Sequence, residues 1–177
     1  MGGAVRLSKG RFLATFLVLF AALLGGWSAT NGAYWYSRGL VSAAATMGPP
    51  IHGWVLVADP TGGQPSWVSG SYSVRTAIQF DALAVGVVPA LALLGATPGL
   101  GWLRRVIYLV AGGGLCFLID TLIVALFPLL VFYKNPFTDV VGTFLGLVGF
   151  VGAPVIVWGA LTFRQLQRML PALRRHP

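Results

Sequence analysis

The sequence predicts an all-α integral membrane protein: four transmembrane helices with a small extracytoplasmic insert that contains a β-hairpin. Three observations carry this expectation. Apolar residues make up 56% of the 177-residue chain and charged residues only 9%, whereas an ordinary soluble domain carries about 25% charge. The apolar residues gather in four runs, separated by stretches rich in Gly, Pro and bases. The bases flank those runs unevenly, which is the pattern of a membrane protein rather than of a nucleic-acid binder, although the net charge is +8. The length allows one domain, 1–177, and no internal repeat divides it into transporter-like halves.

The chain starts with a short basic segment holding Arg6, Lys9 and Arg11. Position 6 is Arg rather than Ser or Thr, which argues against N-myristoylation after Met1-Gly2-Gly3. Phe12 to Trp27 is the first apolar run. With its basic flank and Trp27-Ser28-Ala29 it has the outline of a signal peptide. We read it instead as an uncleaved anchor, because Ala33 to Met47 stays mildly apolar and extends the helix outward. Tyr34, Trp35 and Tyr36 then form an interfacial aromatic belt.

Residues 28–76 form the extracytoplasmic insert. Gly48-Pro49-Pro50, Asp59-Pro60, Gly62-Gly63 and Ser69-Gly70 break it repeatedly. Trp54 to Val57 and Trp67 to Val74 are β-branched and aromatic, and read as two or three short strands with a hairpin about Gly62-Gly63. An isolated pair of strands is marginal in water, so the strands are expected to lean on the membrane surface or on a partner. Trp54 and Trp67 are the candidate docking residues. His52 has no Cys, Asp or Glu at ligand spacing and reads as a surface imidazole.

Ala77 to Ala96 is the second run, with Asp81 near its start and Pro89 inside, and Thr97-Pro98-Gly99 ends it. Arg104-Arg105 lead into the third, Val106 to Phe132, whose single charge is Asp120 near the middle. This run rises about 40 Å as a helix, against a hydrocarbon thickness of about 30 Å. Pro128 is the expected bend. We take this helix as the one the others surround. Its carboxylate costs roughly 2.5–3.5 kcal/mol at mid-membrane, so a neighbour must offset it. Gly112, Cys116 and Asp120 recur every four residues and share one small, polar packing face. Thr143, Gln79 and Arg75 are the expected partners of Asp120. Val140 to Phe163 is the fourth run, and Gly142 and Gly146 make a small-xxx-small packing face in it. The spans are therefore expected near 12–32, 77–97, 104–132 and 139–163. Asp81 and Asp139 lie near helix starts, where a carboxylate suits the macrodipole. Trp102 and Trp158 read as the second interfacial belt.

With both termini in the cytoplasm, nine bases lie inside: Arg6, Lys9, Arg11, Arg104, Arg105, Arg164, Arg168, Arg174 and Arg175. Arg38, Arg75 and Lys134 lie outside. All four acids then fall outside or within the membrane. Catalytic patterns are missing. No His lies in an apolar run, which argues against a b-type haem and a Ser–His hydrolase. No His or Glu joins Asp120 in a proton relay, and there is no phosphate-binding Gly-rich loop. No cofactor and no metal are expected.

The stretch from Ile78-Gln79-Phe80-Asp81-Ala82-Leu83 to Leu93-Leu94-Gly95-Ala96-Thr97-Pro98-Gly99 resembles that of small bacterial membrane proteins that accompany exosortases. Their layout is similar along the whole chain: an N-terminal helix, a short outside segment, three more helices and a basic tail. The resemblance implies a non-catalytic companion of a protein-sorting enzyme in a bacterial inner membrane. It does not imply the enzyme, because Cys116 is within the membrane and His52 in a loop. The partners implied are the lipid bilayer and another membrane protein. Two other functions fit the same residues: a small structural subunit of a respiratory or photosynthetic complex, and a small transporter or enzyme using Asp120.

Overall fold

A computed structural model describes residues 9–47, 53–57, 66–70, 72–75, 80–132, 135–147 and 152–173. They form six helices and three strands: α1 Lys9–Ala29, α2 Gly32–Met47, β1 Val55–Val57, β2 Ser66–Ser69, β3 Tyr72–Arg75, α3 Phe80–Ala96, α4 Trp102–Phe132, α5 Pro136–Leu147 and α6 Ala153–Leu173. Two stretches are long and apolar enough to cross a membrane, Gly10–Ala29 in α1 and Trp102–Phe127 in α4, and Gly86–Ala96 in α3 is a shorter apolar helix.

The chain does not run straight on from α1. The amides of Thr30 and Asn31 close the last turn onto Gly26 O and Ser28 O. Asn31 takes the left-handed conformation, φ 52°, a backbone state that ends helices and that Asn tolerates. Gly32 follows because a Cβ there would lie 2.7 Å from the Trp27 ring. So 33–47 is not an extension of the first helix; it is a separate helix, α2, packed against α3 and α4.

The fourth apolar run, expected as a span over 139–163, carries α5 and α6, and 148–151 between them lie outside the described residues. Asn135 caps α5: its Oδ1 accepts from the Thr138 amide at 2.8 Å, and Thr138 Oγ1 accepts from the Asn135 amide at 2.9 Å. Pro136 sits at the first helical position, where its missing N–H costs nothing. Pro154 lies in the first turn of α6.

The helix that the others surround is α3, not α4. It packs against α1, α2, α4 and α6, and Val87, Val88, Ala90, Ala92, Leu94 and Ala96 are buried on it. Its Ala- and Gly-rich sequence makes it narrow enough to be enclosed on several sides. Pro89 is accommodated inside it. Small residues mark the crossings. A Cβ on Gly95 would lie 3.1 Å from Leu19 of α1, and one on Gly112 of α4 would overlap Leu94 Cδ1 of α3.

The strands form one antiparallel sheet in the order β1-β2-β3. Leu56 is paired with Trp67, and Trp67 with Val74. Gly70, φ 57°, opens the two-residue connection between Ser69 and Tyr72, where hairpin turns require positive φ. The Gly62-Gly63 turn and His52 lie outside the described residues. The period of two sends Leu56 and Trp67 inward and leaves Val55 and Val57 exposed. Leu56 and Trp67 join Leu40, Val41 and Ala44 of α2 and Ile123 and Val124 of α4 in one core. The sheet thus leans on the chain's own helices.

Elsewhere the helices turn large apolar side chains outward. Leu13, Leu17 and Val18 on α1, Leu103, Ile107, Val110, Leu118 and Leu122 on α4, and Val155, Ile156 and Phe163 on α6 are exposed. Apolar surface of this extent marks a membrane or protein contact.

The α3–α4 crossing gives a stability test. Gly112→Ala gains about 0.5–1 kcal/mol of helix propensity but pushes on the fully buried Leu94, at about 1–3 kcal/mol. Thermal melts in detergent should therefore show net destabilisation. Adding Leu94→Ala should cost less on the Gly112→Ala background than on the wild type. Gly114→Ala, with nothing within 4 Å, should melt at or above the wild type.

Candidate functional site

Gly112, Cys116 and Asp120 stand one turn apart on α4, and all three are buried. Gly112 admits Leu94 and Leu161. Cys116 shares an apolar cluster with Val87 and Ala90 of α3 and Val157 of α6. Asp120, 4% exposed, accepts a 2.8 Å hydrogen bond on Oδ2 from the Tyr36 hydroxyl of α2. The Tyr36 ring is held between Trp27 of α1 and Phe117 of α4, each with its ring centre 5.6 Å away. One turn of α1, one of α2 and one of α4 thus converge on a single phenol–carboxylate contact. Thr121 beside it returns its hydroxyl to Phe117 O at 2.7 Å, so it does not compete for Asp120.

The described partner of Asp120 is thus Tyr36, which is not among the three expected ones. Thr143 is exposed on α5, Gln79 lies outside the described residues, and the Arg75 side chain is not among those described. The aromatic triplet divides: Tyr34 and Trp35 are exposed, but Tyr36 turns inward. The signal was in the sequence. Tyr36, Leu40 and Ala44 recur at i, i+4 and i+8 and form the buried stripe of an amphipathic helix.

The second polar cluster lies at the other end of α3. Thr97, 1% exposed, returns its hydroxyl hydrogen to Leu93 O at 2.8 Å and accepts from Trp158 Nε1 of α6 at 2.9 Å. Arg105 of α4 donates from Nη2 to Thr97 O at 3.4 Å, and Gln165 of α6 to Pro98 O at 3.5 Å. Phe12 of α1 stacks near Trp158, ring centres 6.4 Å apart. The start of α1, the end of α3, the start of α4 and the stretch of α6 from Trp158 to Gln165 therefore meet here, and the four helices run alternately up and down. Trp102 is exposed, as an interfacial residue would be. Trp158 is half-buried and its indole N–H is committed to Thr97. Arg105 cannot be recognised from sequence as distinct from Arg104, because only the tertiary contact separates them.

The remaining candidates are not gathered with these. Gly142 is half-buried on α5, on the side opposite the exposed Phe137, Val140 and Phe144, and Gly146 lies one turn on. Trp67 is 5% exposed and Trp54 packs half-buried against the same core. Of the two tryptophans expected to be offered to a partner, Trp67 is turned away from the surface, because the inward register of β2 buries it. Among the described residues no three of His, Cys, Asp and Glu come together to hold a metal ion. Chemically, the Tyr36–Asp120 contact is a fastening between α2 and α4. No family model, no curated protein and no solved structure matches the chain.

A double-mutant cycle should show the fastening. Tyr36→Phe leaves a buried carboxyl without its donor and should cost about 1–2 kcal/mol. Asp120→Leu should cost a similar amount by stranding the phenol, and Asp120→Asn, which keeps an acceptor, about 1 kcal/mol or less. Combining Tyr36→Phe with Asp120→Leu should cost less than the sum of the two. Additive losses in thermal melts would show that the contact carries no coupling energy. At the other end, Trp158→Phe should lower stability by about 1 kcal/mol.

Proposed function

We propose that the chain is a multi-pass protein of a bacterial inner membrane, acting as a non-catalytic accessory subunit beside an exosortase-type protein-sorting enzyme. The observation that supports the non-catalytic reading is the closure of Asp120. The acid of the longest apolar helix is spent on Tyr36 of the same chain and is shut off from solvent. A proton-handling carboxylate needs a path to water or to a relay. The resemblance of 78–99 and of the whole layout supports the sorting-system companion.

In this reading α1, α3, α4 and the α5–α6 pair make four crossings, and the Thr97 end faces the cytoplasm. Supporting this are the up-and-down helix order and the bases Arg104, Arg105 and Arg164 near that end. Trp102 then marks the inner interface. Asp120 lies about 27 Å further along α4, at the outer boundary rather than mid-membrane. Beyond it, α2, the sheet and the end of α4 form an extracytoplasmic cap. The docking surface is the outer face of that cap, with Val55, Val57 and Trp35 exposed.

Orientation is tested by cysteine labelling with a membrane-impermeant reagent. Thr46→Cys, exposed on α2, should react in intact cells and Arg164→Cys only after permeabilisation, with Cys116 buried and silent. The reverse pattern would invert the topology. Function is tested by purification from the native membrane in mild detergent. A sorting transpeptidase should co-elute, and Val55→Ser with Val57→Ser should release it while insertion is retained. Co-elution of oxidoreductase subunits instead would move the chain to the respiratory class.

A further inference from the structure

The Thr97 end carries more positive charge than it uses. Arg11 on α1, Arg104 on α4 and Arg164 on α6 are exposed there. The described acids lie elsewhere. Asp120 is about 22 Å from Arg105 along α4, Asp81 about 24 Å from Thr97 along α3, and Asp139 in the first turn of α5. Arg105 adds an unspent donor: its Nε is buried without a hydrogen-bond partner among the described residues, and its Nη2 reaches Thr97 O only at 3.4 Å. A guanidinium has five N–H donors in a planar fork suited to a phosphate. Immediately beside the two arginines, Trp102, Leu103 and Ile107 are exposed. Along α4 the exposed indole of Trp102 and the two arginines come first and the apolar face from Ile107 follows, so charge and indole stand together at headgroup level with the apolar face leading on toward the lipid chains.

We propose that Arg104 and Arg105 bind the phosphate of an anionic phospholipid headgroup, with the lipid chains lying along the exposed Ile107 and Val110 of α4. The proposal rests on the membrane reading above. A free phosphate would share the guanidinium chemistry but gain nothing from the apolar face. Nucleic acid would need the arginines clear of any bilayer, which the adjoining apolar face argues against.

The test is native mass spectrometry of the full-length protein released from micelles containing equal phosphatidylglycerol and phosphatidylcholine. The wild type should retain phosphatidylglycerol in roughly thirtyfold preference, at the usual contribution of two bases near a surface. Arg104→Gln with Arg105→Gln should bring the ratio close to one. Arg104→Lys with Arg105→Lys should restore most of it, and Arg38→Gln at the opposite end should leave it unchanged. Equal retention of the two lipids by the wild type overturns the proposal, whether or not the Gln pair folds. So does loss of phosphatidylglycerol to inorganic phosphate or to an RNA oligonucleotide. Alkaline carbonate extraction separates the two layers of inference. A chain that washes off membranes defeats the membrane reading, whereas one that stays integral without lipid preference defeats this site alone.

Discussion

The fold depends on how one carboxylate is satisfied. Asp120 sits in a helix with apolar residues on every side, where neither lipid nor an apolar core offers it a donor. The donor comes from Tyr36, and that single contact dictates much of the outer half. It requires α2 to fold back over α4 rather than continue α1. Asn31 and Gly32 make the corner, with Trp27 packed over it. Once α2 lies on α4, its Leu40, Val41 and Ala44 together with Ile123 and Val124 create an apolar platform. A sheet of three strands, each only three or four residues long, rests on that platform through Leu56 and Trp67. Corner, helix and sheet follow from one buried acid.

The opposite end solves a different problem. A helix leaves its last carbonyls without intrahelical partners, and α3 ends within a bundle. Arg105 and Gln165 donate to Thr97 O and Pro98 O, and the Thr97 side chain ties Trp158 of α6 to the same place. Between the two polar ends the packing is small and dry, through Gly95, Gly112, Cys116 and Ala90. Where lipid is as apolar as the protein, close approach and hydrogen bonds hold helices together better than apolar burial does. Among the described residues the distribution follows that rule, with the polar contacts between helices at the ends and small residues at the crossings.

Sequence was informative where one residue type has one physical use. Ser69-Gly70 read as a break, and Gly112, Cys116 and Asp120 shared a face by spacing alone. It was misleading where a pattern had two uses. Tyr36 beside Tyr34 and Trp35 reads as an interfacial belt, because composition does not tell which of three adjacent aromatics faces inward. Trp67 reads as an exposed anchor until the register of β2 against β1 sets its side. The central place of α3 was hidden by length: the longest apolar run drew attention to α4, while the residues that allow a helix to be enclosed are the small ones of 80–96.

If Asp120 is what fastens α2 to the bundle, the dependence is visible in amide hydrogen exchange of the full-length protein. Asp120→Leu should strip protection from Gly32–Met47 and from the three strands together. Val87 to Ala96 and the Arg105 end of α4, held by the Thr97 contacts, should keep theirs. Unchanged protection across α2 in that variant, in a protein that remains folded, would contradict the central role of the Tyr36–Asp120 hydrogen bond.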